Sequence, residues 1–253
     1  AKDLLSEPVA VADTRFVVGL QIQHLSSIPS SERGMRIGCE WVQLEPAAER
    51  RRHQQVVGRR RRVERMQHEK ARFVARWELA GVGGVVIVID VLRAFTTAAY
   101  ALAGGATAIW LVADVDEAIA LGRSIPDALV MGEERGRRPA GFDLSNSPVA
   151  ASEADLAGRE IVQRTSAGTQ GAVAATDADR LFVAGLVNAS ATAEAARRAI
   201  EQGRFDAPTY VITGRFPDRP DGGEDDLITA QCIERIRTGE PVRAAATSDA
   251  VTR

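Results

Sequence analysis

The sequence predicts an α/β protein of three layers, with helices on both faces of a mostly parallel or mixed sheet. Three observations carry that expectation. From about residue 72 onward, short β-branched apolar runs alternate six times with alanine-rich segments, the rhythm of strand–helix units that feed a parallel sheet. The first such run, GGVVIVID at 83–90, is apolar almost without a break, as a strand buried on both faces must be. The 253 residues are 45% hydrophobic and 26% charged, enough for one sizeable core and too apolar for a disordered chain.

Each element has its local reason. After GGVVIVID, the alanine-rich stretch Arg93–Ala103 reads as a helix stopped by Gly104-Gly105, since glycine ends a helix at low steric cost. ATAIWLV (106–112) is the next strand, and Asp114 with Glu117 makes a capping-box-like start for the helix VDEAIALGRSI. DALVMG (127–132) is a strand followed by a long polar loop to about Pro148. REIVQRT, a glycine-bearing turn with a short helix, and RLFVAGLV follow. A helix from Asn188 to Gln202, the strand PTYVITG and a helix from Glu224 to Arg237 complete the pattern.

Residues 1–65 read differently from the domain expected over 66–253. Their arginine clusters, Arg50–Arg52 and Arg59–Arg62, sit in a stretch with almost no apolar periodicity. A basic arm for RNA or DNA is one reading, weakened because no aromatic residue interleaves to stack on bases. A poorly ordered extension, or one lying upstream of a natural start at Met66, is the reading adopted. The tail EPVRAAATSDAVTR looks frayed.

Composition narrows the chemistry further. The formal charge of −2 gives no global polycation for nucleic acid, and no apolar run approaches the roughly 18–20 residues of a membrane span. Two cysteines, Cys39 and Cys232, cannot build a disulfide framework, so a reduced cytoplasmic setting is expected. All three histidines lie within the first 68 residues, and the only lysines are Lys2 and Lys70. Chemistry in the α/β domain must therefore do without imidazole or amine, which excludes a Ser-His-Asp triad, a His-based zinc site, a Walker-A loop and a lysine Schiff base.

In open α/β sheets ligands bind beyond the carboxyl ends of the strands. Asp90 and Arg93 follow the first strand; Glu134 and Arg135, then Asp143 and Asn146, follow DALVMG; Thr165 and Gly168 follow REIVQRT; Asn188 follows RLFVAGLV; Arg215, Glu224 and Asp225 follow PTYVITG. Each has a plainer reading. Asp90 and Asn188 could cap helices, Glu224–Asp226 could be an ordinary acidic first turn, and TSAGTQG could be a turn and cap. Together they favour phosphate chemistry with a divalent cation. Carboxylates gathered in one layer repel unless they share a cation, oxygen ligands suit Mg²⁺, and arginines can clamp phosphoryl or sulfonate oxygens.

The segments IDVLRAFTTAAYALAGGA, ERGRRPAGFDLSNSP, TSAGTQG, NASA, and GR followed by EDD resemble, in order, the motifs of the 2-phosphosulfolactate phosphatase family. The resemblance covers about Arg72 to Arg237. It departs where Ser145 replaces the glycine of a DLGNSP-type segment and where Ser166-Ala167 replace a more usual Asn-bearing turn. It implies a three-layer α/β/α fold and Mg²⁺-dependent hydrolysis of 2-phospho-3-sulfolactate to sulfolactate and phosphate, a step of coenzyme M biosynthesis. The implied site is Asp90, Arg93, Glu134, Arg135, Asp143, Asn146, Thr165, Gly168, Asn188, Arg215, Glu224 and Asp225.

The reading taken forward is a phosphatase acting on a small anionic phosphoester. Asp90 with Glu134 or Asp143 would hold Mg²⁺, Arg93, Arg135 and Arg215 would bind the phosphate and a second anion, and Glu224 or Asp225 would protonate the leaving alkoxide. No membrane or nucleic-acid partner is expected, and a homodimer is one option for assembly. The rival is a non-catalytic module that binds a phosphorylated or sulfonated metabolite through the same arginines.

Overall fold

The computed structural model describes residues 17–23, 35–42, 70–203 and 205–242; the arginine clusters at 50–62, Met66 and the tail beyond 242 lie outside the described residues. Among the described residues ten strands form a single mixed sheet. They are β1 Val17–Gln23, β2 Met35–Val42, β3 Arg72–Val74, β4 Val85–Ile89, β5 Ala108–Val112, β6 Leu129–Gly132, β7 Leu144–Ser145, β8 Glu160–Arg164, β9 Arg180–Ala184 and β10 Thr209–Ile212. The helices are α1 Ala94–Ala103, α2 Val115–Ser124, α3 Pro148–Glu153, α4 Gly168–Ala174, α5 Ala189–Gly203 and α6 Glu224–Thr238.

The strand order is β3-β10-β4-β9-β1-β2-β5-β8-β6-β7. Strands β3, β10, β4 and β9 are mutually parallel, as are β5, β8, β6 and β7. Between the two groups stand β1 and β2, antiparallel to each other and to β9 and β5 on either side. Residues 17–23 and 35–42, within the stretch read from sequence as an extension, are thus strands of this sheet. The sequence did hold the signal. Val18, Leu20 and Ile22 alternate with Gly19, Gln21 and Gln23, and Met35, Ile37, Cys39 and Trp41 alternate with Arg36, Gly38 and Glu40, a strand period overshadowed by the basic run that follows.

Side-chain alternation along β4 builds the layers. Val86 and Val88 join Phe95, Ala98 and Ala101 of α1 and Ala172 of α4 in one core. Val85, Ile87 and Ile89 turn the other way, to Ala193, Ala196 and Ile200 of α5 and Ala230 and Ile233 of α6. On that second face, Val112, Val130 and Val162 of β5, β6 and β8 pack against Ala118 of α2. All five residues of β4 are buried, as the uninterrupted apolar run requires. The structure is a three-layer α/β/α fold. Among the described residues no helix is long and apolar enough to cross a membrane.

Two helix starts show how local sequence sets the frame. Asp114 caps α2 through its side chain, which accepts from the N–H groups of Asp116 and Glu117, the arrangement its spacing predicts. Helix α6 begins after Gly223, held in the left-handed region at φ 74°, and stops at Gly239, also left-handed at φ 77°. The loop before α6 therefore turns sharply and delivers Glu224, Asp225 and Asp226 beside the end of β10.

Candidate active site

Asp90 ends β4 and is 7% exposed. Its Oδ1 accepts the N–H of Ala94, 2.9 Å away, at the start of α1. Gly168, the first residue of α4, lies against its other oxygen: a Cβ there would stand 2.7 Å from Asp90 Oδ2 and 2.6 Å from the Ala94 Cβ. The Asp90 pKa is raised to about 6, chiefly by burial, with the nearby carboxylates of Asp225 and Glu133 adding to the rise and the Ala94 and Gly168 N–H groups opposing it. A carboxylate in a dry strand exit, crowded by like charges, suits a shared cation or proton.

The exits of β6 and β8 interlock beside it. Glu133 accepts from the Ser166 N–H at 2.6 Å, from the Ser166 hydroxyl at 3.0 Å and from the Gly136 N–H at 2.7 Å. Arg135, left-handed at φ 50°, donates its backbone N–H to Ser166 Oγ at 2.9 Å. Thr165 and Thr169 bond reciprocally: Thr169 Oγ1 accepts from Thr165 N at 2.8 Å and Thr165 Oγ1 from Thr169 N at 3.1 Å. Thr165 thus fixes the loop that brings Gly168 to Asp90, its oxygen already engaged. Asn146 is 6% exposed, and its carboxamide oxygen has no hydrogen-bond partner among the described residues.

Two of the residues named from sequence stand elsewhere, and a third is taken up by its own turn. Glu134 pairs with Arg164, Oε1 to Nη2 3.2 Å, while Arg164 also donates to the carbonyls of Ala113 and Glu133. Asp143 precedes β7, accepts the Val130 N–H at 2.8 Å and lines a surface hollow with Ile119, Gly122 and Arg123 of α2. That hollow lies on the sheet face opposite Met131, α1 and α4. Asn188 closes the turn after β9: its Oδ1 accepts the Gly185 N–H at 2.9 Å and its amide reaches the Val183 carbonyl. Among the described residues no group of three or more His, Cys, Asp or Glu side chains could hold a metal ion, so the expected trio of Asp90, Glu134 and Asp143 is not assembled. The reason is parity. Met131 faces α1 and α4, so Glu133, two residues on, continues toward Asp90 and Glu134 points the opposite way.

Arg93 is exposed at the start of α1, Arg135 is exposed in the β6 exit loop, and Arg215 is half-buried after β10. Among the described residues none of the three is paired with a carboxylate. Glu224 is exposed and Asp225 half-buried in the first turn of α6. Asp226, next to them and read from sequence as part of the same acidic helix start without a role in the site, is 3% exposed. Its carboxylate accepts the N–H of Val91 at 3.0 Å and the N–H of Gly214 at 2.8 Å. Burial, then the charges of Asp90 and Asp225, raise its pKa to about 8. The signal that could have found it is the helical spacing Asp226, Thr229, Ala230, Ile233, a stripe that is buried throughout.

Acids thus collect at the strand exits of this α/β/α fold, and among the described residues the guanidinium groups of Arg93, Arg135 and Arg215 pair with no carboxylate. The family model described as 2-phosphosulpholactate phosphatase matches residues 74–204, and the chain belongs to that family. Among its relatives, each named "Probable 2-phosphosulfolactate phosphatase", the protein of Bacillus subtilis (strain 168) is 38% identical over 160 residues, 63% of this chain and 67% of the relative. That of Deinococcus radiodurans is 46% identical over 110 residues, 43% of this chain and 46% of the relative. That of Thermus thermophilus is 43% identical over 147 residues, 58% of each chain. The chain thus spans 67% of the first relative but 46% and 58% of the other two.

Proposed function

We propose that the protein is a Mg²⁺-dependent phosphatase that hydrolyses 2-phospho-3-sulfolactate, or a similar small anionic phosphoester, to sulfolactate and phosphate. One observation carries the proposal: Asp90, buried at the β4 exit, has Gly168 against it and the carboxylates of Asp225 and Glu133 within electrostatic reach. The residues present fit the ion. Mg²⁺ is commonly bound by one or two carboxylates, with substrate phosphate and water completing its octahedron. Asp90 and Asp225 would hold it, while Glu133, its oxygens taken up by Ser166 and Gly136, keeps the β8 exit in place. The chemistry supplied there is neutralisation of charge on the phosphoryl oxygens.

The chain's own groups then divide the work. Arg93 and Arg215, from the exits of β4 and β10, clamp the phosphate, and Arg135, from the exit of β6, meets the second anion. Water attacks phosphorus, forming one P–O bond as the ester P–O bond breaks. With Asp225 given to the ion, Glu224 delivers a proton to the departing alkoxide and takes one back from the attacking water. The cytoplasmic setting expected from the cysteine content, and the place in coenzyme M biosynthesis implied by the sequence motifs, go with this reading.

The test is phosphate release from 2-phospho-3-sulfolactate with and without EDTA. Release that stops on chelation and returns with Mg²⁺ is expected. Turnover unchanged by chelation removes the ion from the mechanism, and binding of the phosphoester without any release favours a sensing module in place of an enzyme.

A further inference from the structure

The exits of β4 and β10 carry Asp90 and Arg215, and a single buried side chain joins them. Asp226 Oδ1 accepts from the N–H of Val91, the residue after Asp90, across 135 residues of chain. Its Oδ2 accepts from the N–H of Gly214, the residue before Arg215, and lies 3.3 Å from Thr213 Oγ1. The surrounding backbone has no slack. A Cβ on Gly214 would stand 2.6 Å from the Gly223 Cα, and one on Gly222 would stand 2.6 Å from the Gly214 carbonyl oxygen. The start of α6 is therefore pressed onto the β10 exit, and the Asp226 carboxylate extends that clamp to β4. We propose that Asp226 is a positioning residue, which fixes the spacing between Asp90 and Arg215 by holding the backbone neighbour of each on one carboxylate. It acts through those two residues and touches no substrate.

The inference rests on the phosphatase reading for its rate readout and on anion binding by Arg215 for its second readout. Asp226→Asn keeps the shape but turns one acceptor oxygen into an NH₂ that opposes an N–H. Parent, Asp226→Asn, Arg215→Ala and the double variant are compared for kcat and KM on 2-phospho-3-sulfolactate with Mg²⁺ present, and for inorganic phosphate affinity by calorimetry. In the chain that keeps Arg215, Asp226→Asn lowers kcat/KM about 10- to 100-fold and phosphate affinity about tenfold. In the Arg215→Ala background the same change costs about twofold, because residues that act as a unit are not additive. A purely structural Asp226 gives equal losses in both backgrounds, and that result overturns the proposal, as does an Asp226→Asn protein within about twofold of the parent. A parent that binds phosphate but releases none from the ester refutes the phosphatase reading, and the phosphate cycle still decides the role of Asp226. A parent that does neither overturns both. Should Asp226→Asn fail to fold, Thr213→Val takes its place in the cycle, with an expected loss of about two- to threefold that is confined to the Arg215 background; equal losses overturn the proposal.

Discussion

Gly168 packs so closely on Asp90 that a methyl group there would stand 2.7 Å from the carboxylate oxygen Oδ2. No side chain fits between the start of α4 and the end of β4, so the glycine sets how near the β8 exit comes to the buried acid. Gly168→Ala must push the two apart or tilt the carboxylate. Overpacking of this kind costs about 1–3 kcal/mol, and displacement of a reacting group by about 1 Å costs on the order of 100-fold in rate. The expected result is a folded protein with a lowered melting midpoint and at least a tenfold loss of kcat/KM. Activity equal to that of the parent would show that the β8 exit does not contribute to the site.

The acid at the end of β4 and its neighbours also predict a response to Mg²⁺ that needs no substrate. An ion bound to the folded state alone stabilises it by mass action, and at about 100 times its dissociation constant raises stability by about 2.7 kcal/mol. Millimolar Mg²⁺ is expected to raise the melting midpoint of the parent by several degrees. Asp90→Asn is expected to lose that increment and most of its turnover. A variant that keeps the Mg²⁺ increment would remove Asp90 from the ion's ligands.

Glu133 and Glu134 are adjacent in sequence and differ in what they touch. Glu133 holds the Ser166 N–H and hydroxyl and the Gly136 N–H, whereas Glu134 makes a half-exposed pair with Arg164. Exposed ion pairs contribute about 0–1 kcal/mol; a hydrogen bond to a charged group contributes about 1.5–3 kcal/mol. Glu133→Gln is expected to lower kcat/KM at least tenfold, while Glu134→Gln and Asp143→Asn stay within about threefold of the parent. Steady-state kinetics on the three variants check this, and the reverse order would restore the metal trio read from sequence.

Those pairs of neighbours mark where sequence was legible and where it was not. The strands from GGVVIVID to PTYVITG, and the exits that bear Asp90, Thr165, Gly168 and Arg215, follow from apolar runs and glycine stops, because burial on both faces imposes a composition. Which acid of a consecutive pair faces the site depends on one-residue parity at the end of a four-residue strand, and a run of polar residues carries no mark of that parity. Asn188 illustrates a second limit. An amide after a strand can cap a turn or meet a ligand, and only the Gly185 N–H placed against its oxygen decides between them. Asp226 illustrates a third, since three successive acids look like a favourable helix start until the buried stripe beneath the third is traced.

Asp90 and Asp226 predict how stability varies with pH in protein freed of metal. Both carboxyls have folded pKa values, about 6 and about 8, above the ordinary carboxylate value of 3.8. The folded state therefore binds more protons than the unfolded state between these limits, and stability falls as pH rises. Their contribution is fully present below 3.8 and is lost as pH passes through about 6 and then about 8. Geometry agrees for Asp226: Thr213 donates its one hydroxyl proton to the Ile89 carbonyl at 2.8 Å, leaving a lone pair toward Asp226 Oδ2. With EDTA present, the melting midpoint of the parent is expected to fall by about 5 °C more than that of Asp226→Asn between pH 5 and pH 9. Parallel curves would mean that Asp226 is ionised throughout.

The hairpin of β1 and β2 gives the last prediction, and the one furthest from the site. It stands between β9 and β5, so the two parallel groups of strands meet through it. Removing residues 1–65 would leave β9 and β5 with unpaired edges, bare rows of N–H and C=O groups that template association between chains. A chain shortened to begin at Met66 is expected to be recovered mainly as aggregate, with no cooperative melting transition by circular dichroism and no phosphate release. A shortened chain that is monomeric and melts within a few degrees of the parent would mean that the two groups of strands close on each other directly, and that the hairpin is dispensable to the fold.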